Sequence, residues 1–309
     1  MKKILLATTL LAASTGFAAA EITWGGSASA GIAANGTANG GGINTAYAGD
    51  GITVLADDAM HSYSSVKLAV TFSGSTDSGL TFGATFDTSA GRSYTLGDGD
   101  AFANEGGSFG MPTVFVEGTF GKLAFSSDNM DFYDDTNANA DVEYTGTFGA
   151  VSVGLRADVD TNNASAKIGY TAGAVSVNAN IDTYDLWNLD GTYTMGSLAV
   201  TGATDESQNS SLKAAYSANG ISASAKYNTN GGTVGAVGSI DVAVGYSANA
   251  LSLKASVDNI GEADTNGNAL ADDVAKWTVT AGYDLGGGLS VEAGTNYTQD
   301  MMLGAKMSF

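Results

Sequence analysis

From Met301 to Phe309 apolar side chains fall on 301, 303, 305, 307 and 309, and past Met302 the small or polar Gly304, Lys306 and Ser308 fall between them. A period of two sends alternate residues to opposite faces of an extended chain, so the segment predicts a strand with one apolar face. The pattern recurs. Val66, Leu68, Val70 and Phe72 share one face and Lys67 the other. Val151, Val153, Leu155 and Val159 oppose Arg156 and Asp158, and Leu251, Leu253, Ala255 and Val257 oppose Lys254 and Asp258. Lys167, Lys213, Lys226, Lys276, Glu292 and Lys306 obey the same rule. A lysine or arginine on a lipid-facing position at mid-bilayer costs about 2–4 kcal/mol. The consistent parity therefore predicts an all-β transmembrane antiparallel β-barrel, with hydrocarbon outside and water inside.

Turn signals divide the chain into hairpins. Thr76-Asp77-Ser78-Gly79, Phe120-Gly121, Phe148-Gly149, Ala172-Gly173, Gly196, Asn219-Gly220, Ala248-Asn249 and Gly286-Gly287-Gly288 supply the positive φ that tight turns need. Longer connections over 35–62, 88–110, 127–140, 160–163, 205–209, 229–236 and 259–273 are rich in Gly, Asn, Asp and Thr. Alternation of short turns with longer loops predicts short periplasmic turns and longer external loops. The segments between these breaks begin near 22, 63, 80, 111, 122, 141, 150, 164, 174, 187, 197, 210, 220, 237, 250, 274, 289 and 301, which gives 18 strands by hairpin count. Phe148, Tyr170, Tyr193, Tyr216, Tyr246 and Tyr283 each precede a short turn. All but Phe148 are assigned their strand's apolar parity, which predicts an aromatic girdle at one interface.

Composition agrees with export. Met1-Lys2-Lys3, the apolar run from Ile4 to Leu11 and Ala18-Ala19-Ala20 predict a secretory signal over 1–20, followed by one barrel domain over 21–309. The apolar run is too short to span a bilayer as a helix. Removing the signal leaves ten basic residues against 32 acidic ones. Cysteine is absent, so no disulfide contributes. Pro112 is the one proline among 43 glycines, which suits a chain of paired strands.

A barrel of about 16 or more strands is too wide for its own side chains to fill. The inward parity carries Ser, Thr, Gly, Asn, Asp and Lys, so it predicts a wet lumen and passive diffusion of small hydrophilic solutes and ions. Catalysis is not expected: His61 is the only histidine, with no cysteine to join it. Gly40-Gly41-Gly42 lacks the strand-to-helix context of a phosphate cradle. No cofactor is expected beyond a weak calcium-loop likeness at Asp264, Asn266 and Asn268, where the glycine is misplaced and no Glu closes the loop. Neither is a nucleic-acid partner.

The stretch Thr76 to Phe86, the segment Gly282 to Gly288, and Phe115 to Leu123 with Gly118, Phe120, Gly121 and Lys122 resemble hairpins of the general porins of Rhodobacter-type alphaproteobacteria. The terminal Phe309 resembles the assembly signature of bacterial outer-membrane barrels. The resemblance implies a Gram-negative outer-membrane location, 16 strands, a homotrimer, and a third external loop folded inward to narrow the pore. By position that loop is 127–140, with Asp128, Asp131, Asp134 and Asp135. Its expected basic partners on the wall are Lys67, Arg92, Lys122 and Arg156. The surplus acid of the loops predicts a mild cation preference. The alternative is a surface barrel with an adhesive or structural role and no open pore.

Overall fold

Trp24, Ile32, Val66, Phe72 and Phe82 point away from the protein in a computed structural model that describes residues 21–34, 47–48, 51–52, 60–96, 101–107, 109–133, 139–229, 238–260 and 276–309. The first strand, β1 (Glu21–Ala34), is followed by a small separate hairpin of β2 (Tyr47–Ala48) and β3 (Gly51–Ile52). The wall continues through β4 (Met60–Ser75), β5 (Thr81–Thr95), β6 (Ala101–Glu105), β7 (Thr113–Gly118), β8 (Gly121–Asp131), β9 (Asn139–Phe148) and β10 (Val151–Asp158). Next come β11 (Asn163–Ala172), β12 (Val175–Asp182), β13 (Trp187–Met195), β14 (Leu198–Asp205), β15 (Ser210–Ala218) and β16 (Ile221–Thr229). The last are β17 (Ser239–Ala248), β18 (Leu251–Ile260), β19 (Lys276–Gly286), β20 (Leu289–Asn296) and β21 (Met301–Ser308).

Every wall strand pairs antiparallel with its neighbours, and β1 closes the cylinder by pairing with both β4 and β21. The strands β6 and β7 both pair with β5, at Gly91–Thr95 and at Thr81–Thr85 respectively, with a bridge from Thr88 to Phe109 between them. Only β7 carries the wall on from β5 to β8, so the barrel has 18 positions. That matches the hairpin count and corrects the 16 implied by family resemblance. The segment read as a connection over 88–110 is mostly paired chain, which carries β5 to Thr95 and adds β6.

Closure satisfies every edge, which a sheet in hydrocarbon requires. At the seam the Gly26 N–H donates to the Phe309 carbonyl at 2.9 Å, and the Phe309 N–H donates back to Gly26 at 3.1 Å. Gly26 has no side chain where a Cβ would stand 2.7 Å from Cε2 of the Phe309 ring. Lipid takes the place of a core on the outer face. The buried apolar cluster among the described residues is small: Met130, Phe132 and Ala140 at the loop end of β8 and β9.

The predicted turns hold. Gly121, Gly149, Gly173, Gly196, Asn219, Gly220, Asn249 and Gly286–Gly288 all have positive φ. Tyr170, Tyr193, Tyr216, Tyr246 and Tyr283 face outward beside them, and so does Phe148, whose register partner is the outward Val151. One five-residue turn recurs four times, beginning at Thr76, Asp182, Asp205 and Asn296. In each, the first side chain accepts from the N–H four residues on, at 2.9–3.1 Å. The fourth residue (Gly79, Asp185, Gln208 or Gln299) is left-handed. Asp182 and Asp205 thus hold turns, although parity alone reads Asp182 as lumen wall.

Candidate pore lining and constriction

All ten basic residues beyond the first 20 lie on strands. Lys67, Lys122, Arg156, Lys167, Lys213, Lys226, Lys254, Lys276 and Lys306 oppose the outward apolar set in register, and Arg92 reaches the same interior. Water in the lumen solvates these charges, where hydrocarbon could not. No lysine or arginine lies in a connection beyond residue 20.

Two segments leave the wall and lie against its inner face. The first begins at Gly91, whose φ of +102° is left-handed and open to glycine alone at low cost. Past it, Tyr94 packs on Tyr63 with ring centroids 5.9 Å apart, and Leu96 reaches β20. A Cβ on Gly294 would stand 2.5 Å from Leu96 Cδ2. Tyr63 lies over Gly31 and Gly304 in the same way; a Cβ on Gly31 would stand 2.6 Å from the Tyr63 hydroxyl. Inward glycines on β1, β20 and β21 therefore form a shelf for this segment. Its return strand β6 is held by Glu105, whose carboxylate accepts from Lys67 Nζ at 3.3 Å. Phe102 lies under the Arg92 guanidinium at 4.0 Å and takes the edge of His61 at 5.7 Å.

The second segment follows β8. Phe132 tucks into the rim cluster, and Tyr133 turns into the lumen over Gly154, where a Cβ would stand 2.6 Å from the tyrosine Cζ. The Tyr133 hydroxyl donates to Glu143 at 3.3 Å, and its backbone N–H donates to Ser165 Oγ at 3.3 Å. Arg156 donates from Nε to Glu143 at 2.8 Å, and its guanidinium stacks 4.2 Å from the Tyr133 ring. Its Nη1 donates to the backbone carbonyl of Asp131. Lys167 approaches the same ring at 5.9 Å. Burial, followed by the negative charge of Glu143, pushes the Tyr133 hydroxyl up to about 12, so it stays a donor. Lys122 completes this side, opposite Glu117 and 4.6 Å above the Phe115 ring. Tyr133, Glu143, Lys122 and Lys167 line one groove of about 530 Å³.

The structure separates the sequence-predicted residues. Arg156 and Asp131 meet, through the aspartate's carbonyl rather than its carboxylate. Lys122 stands beside them, while Lys67 and Arg92 belong to the first inward segment. Asp134, Asp135 and the side chain of Asp128 lie outside the described residues, as do Asp264, Asn266 and Asn268. Among the described residues no group of three acidic or histidine side chains is placed to hold a metal. Sequence reasoning missed Tyr133, Glu105, Leu96 and Tyr63. The available signal was glycine at inward positions, at Gly31, Gly154, Gly294 and Gly304, since a bare wall position admits another part of the chain.

With this geometry in place, the family model for Gram-negative porins matches residues 7–302. The chain belongs to the Gram-negative porin family. Its place is the outer membrane and its structure is a porin channel. The fold of this porin is similar to that of a substituted porin of Rh. blastica, with a TM-score of 0.57, 16% identity, and coverage of 94% of this chain and 100% of that one. A triple mutant of the Rhodopseudomonas blastica porin gives 0.56 and 16% over the same coverage. Among curated proteins nothing matches this porin.

Proposed function

We propose that this porin passes small hydrophilic solutes and ions by passive diffusion with a mild preference for cations, and that it works as a homotrimer. The observation that carries the preference is the segregation of charge. Every basic residue past 20 is confined to strands, and the connections at the loop end are acidic or neutral. An acidic mouth raises the local cation concentration and depletes anions, within a range set by the Debye length of about 8 Å at physiological salt. Inside, Lys67–Glu105, Arg156–Glu143 and Lys306–Glu292 pair at 2.8–3.3 Å, so much of the lumen charge is locally balanced.

The constriction is best assigned to the two inward segments. Leu96 with its glycine shelf and Tyr133 with Arg156 narrow the lumen from different arcs of the wall. Asp131 contributes through its backbone, Lys67, Arg92 and Arg156 hold the narrowing parts, and Lys122 lines the groove beside Tyr133. Planar-bilayer recording in a KCl gradient tests the reading. A reversal potential on the potassium side, shrinking as total salt rises, is the expected result. A chloride-side potential overturns the preference, and failure of the folded protein to conduct overturns the pore.

A further inference from the structure

The lysines of the lumen are not all neutralised alike. Lys67, Arg156 and Lys306 have the ion-pair partners described above, and Lys276, opposite Asp258, is engaged as well. Lys213 and Lys254 form no ion pair or hydrogen bond among the described residues. Both line a groove of about 610 Å³ on the inner wall of β13–β18, near the short turns. Its polar floor is hydroxyl: Thr194, Ser217, Ser222 and Ser224 line it, and no carboxylate does. Just above, Lys213 stands directly opposite Lys226 across β15 and β16. Like charges in direct cross-strand register are unfavourable. Asp241 stands in register on the far side of Lys226 and offsets that lysine, which leaves Lys213 and Lys254 as the lysines of this wall without a facing carboxylate.

We infer that this wall is a binding site for tetrahedral oxyanions of the inorganic phosphate class. Lysine ammonium groups bind phosphate as point charges, and hydroxyls add donors that a spherical halide uses less well. An oxyanion seated there places negative charge beside Lys213, whose register partners are Thr201 and Lys226, and beside Lys254, whose partners are Gly245 and Thr280. The site lies toward the short-turn end, away from the acidic loop mouth, so anions reach it more easily from that side. It rests on the pore reading only for its access route.

The test is single-channel recording in KCl with inorganic phosphate added at constant ionic strength. Phosphate is expected to lower the current at least about twofold, with a half-effect at about 1–10 mM, the range of a few weak charge-assisted contacts. The double variant K213Q/K254Q is expected to lose the effect, and K306Q, whose lysine is paired with Glu292, is expected to keep it. A wild-type channel indifferent to phosphate overturns the inference and leaves the pore reading standing, as does an effect that K306Q abolishes equally. A second readout does not need conduction. Phosphorus-31 line broadening of phosphate by the detergent-folded protein should disappear in K213Q/K254Q. If the protein fails to conduct but the broadening behaves so, the pore reading falls and the anion site stands. Absent or unchanged broadening overturns the site.

Discussion

Adjacent residues of β17 should respond oppositely to the same charge. Val244 is at the middle of the ten-residue strand Ser239–Ala248, faces outward and is 53% exposed. Its register partners are Ala223 and Ala255, which are short and polar at no point. Ala243 faces the lumen, with Ser224 and Ser256 opposite. Val244→Lys places an ammonium at mid-bilayer with no polar neighbour, at a cost of about 2–4 kcal/mol. At about 1.4 kcal/mol per decade, the folded population relative to unfolded falls roughly 30- to 1,000-fold. Ala243→Lys meets water and hydroxyls with Lys213 and Lys254 across the same groove, and screened like-charge repulsion should hold its cost to about 1 kcal/mol or less. Urea-dependent folding into phospholipid vesicles, followed by the fluorescence of Trp24, Trp187 and Trp277, measures both. Equal losses, or a larger loss from Ala243→Lys, would refute the assignment of inside and outside.

Tyr133→Ala should widen the lumen on its side, and a higher conductance with a larger sugar cutoff in liposome swelling checks it. Gly154→Leu should act in the opposite direction, because it adds bulk to the wall and lifts the ring off β10 into the lumen. Glu143→Gln leaves the Arg156 guanidinium with a weaker partner and should destabilise the arm by about 1–2 kcal/mol, seen as noisier open-channel current. The Tyr133 hydroxyl is raised in the folded state to about 12. Its contribution is therefore complete below the ordinary tyrosine value near 10 and is lost as pH climbs through about 12. A conductance step in that alkaline window, absent from Tyr133→Phe, is the expected outcome. Phe309→Ala removes the ring that lies over Gly26 at the seam, and should slow assembly, read as accumulation of unfolded chain on unheated gels.

Strand parity, turn positions and strand number were legible because each depends on local rules. Period-two alternation shows along the wall strands, and Gly or Asn marks each two-residue turn. The four-residue gaps after Asp182 and Asn296 were harder to see, since left-handed Asp185 and Gln299 carry no compositional flag. The inward segments were legible only in part. A run such as Gly91 to Leu96 alternates like any strand, and nothing local reveals that it leaves the wall to cross β4, β1 and β21 toward β20. That path is fixed by non-local contacts: Leu96 on Gly294, and Glu105 on Lys67. The acidic loop was visible by position, but its grip on Arg156 uses a backbone carbonyl, which every residue possesses.

The confinement of lysine and arginine to the lumen has a consequence for how the protein meets its surroundings. Trypsin cleaves after those residues, and past residue 20 each of them sits on a paired strand with its side chain pointing into the channel. A protease approaching from either side of the membrane finds no scissile bond on any connection. Amine-reactive dyes sort themselves the same way: a small one that permeates labels the lysines of the folded barrel, and a bulky one reaches only the terminal amine until the barrel is denatured.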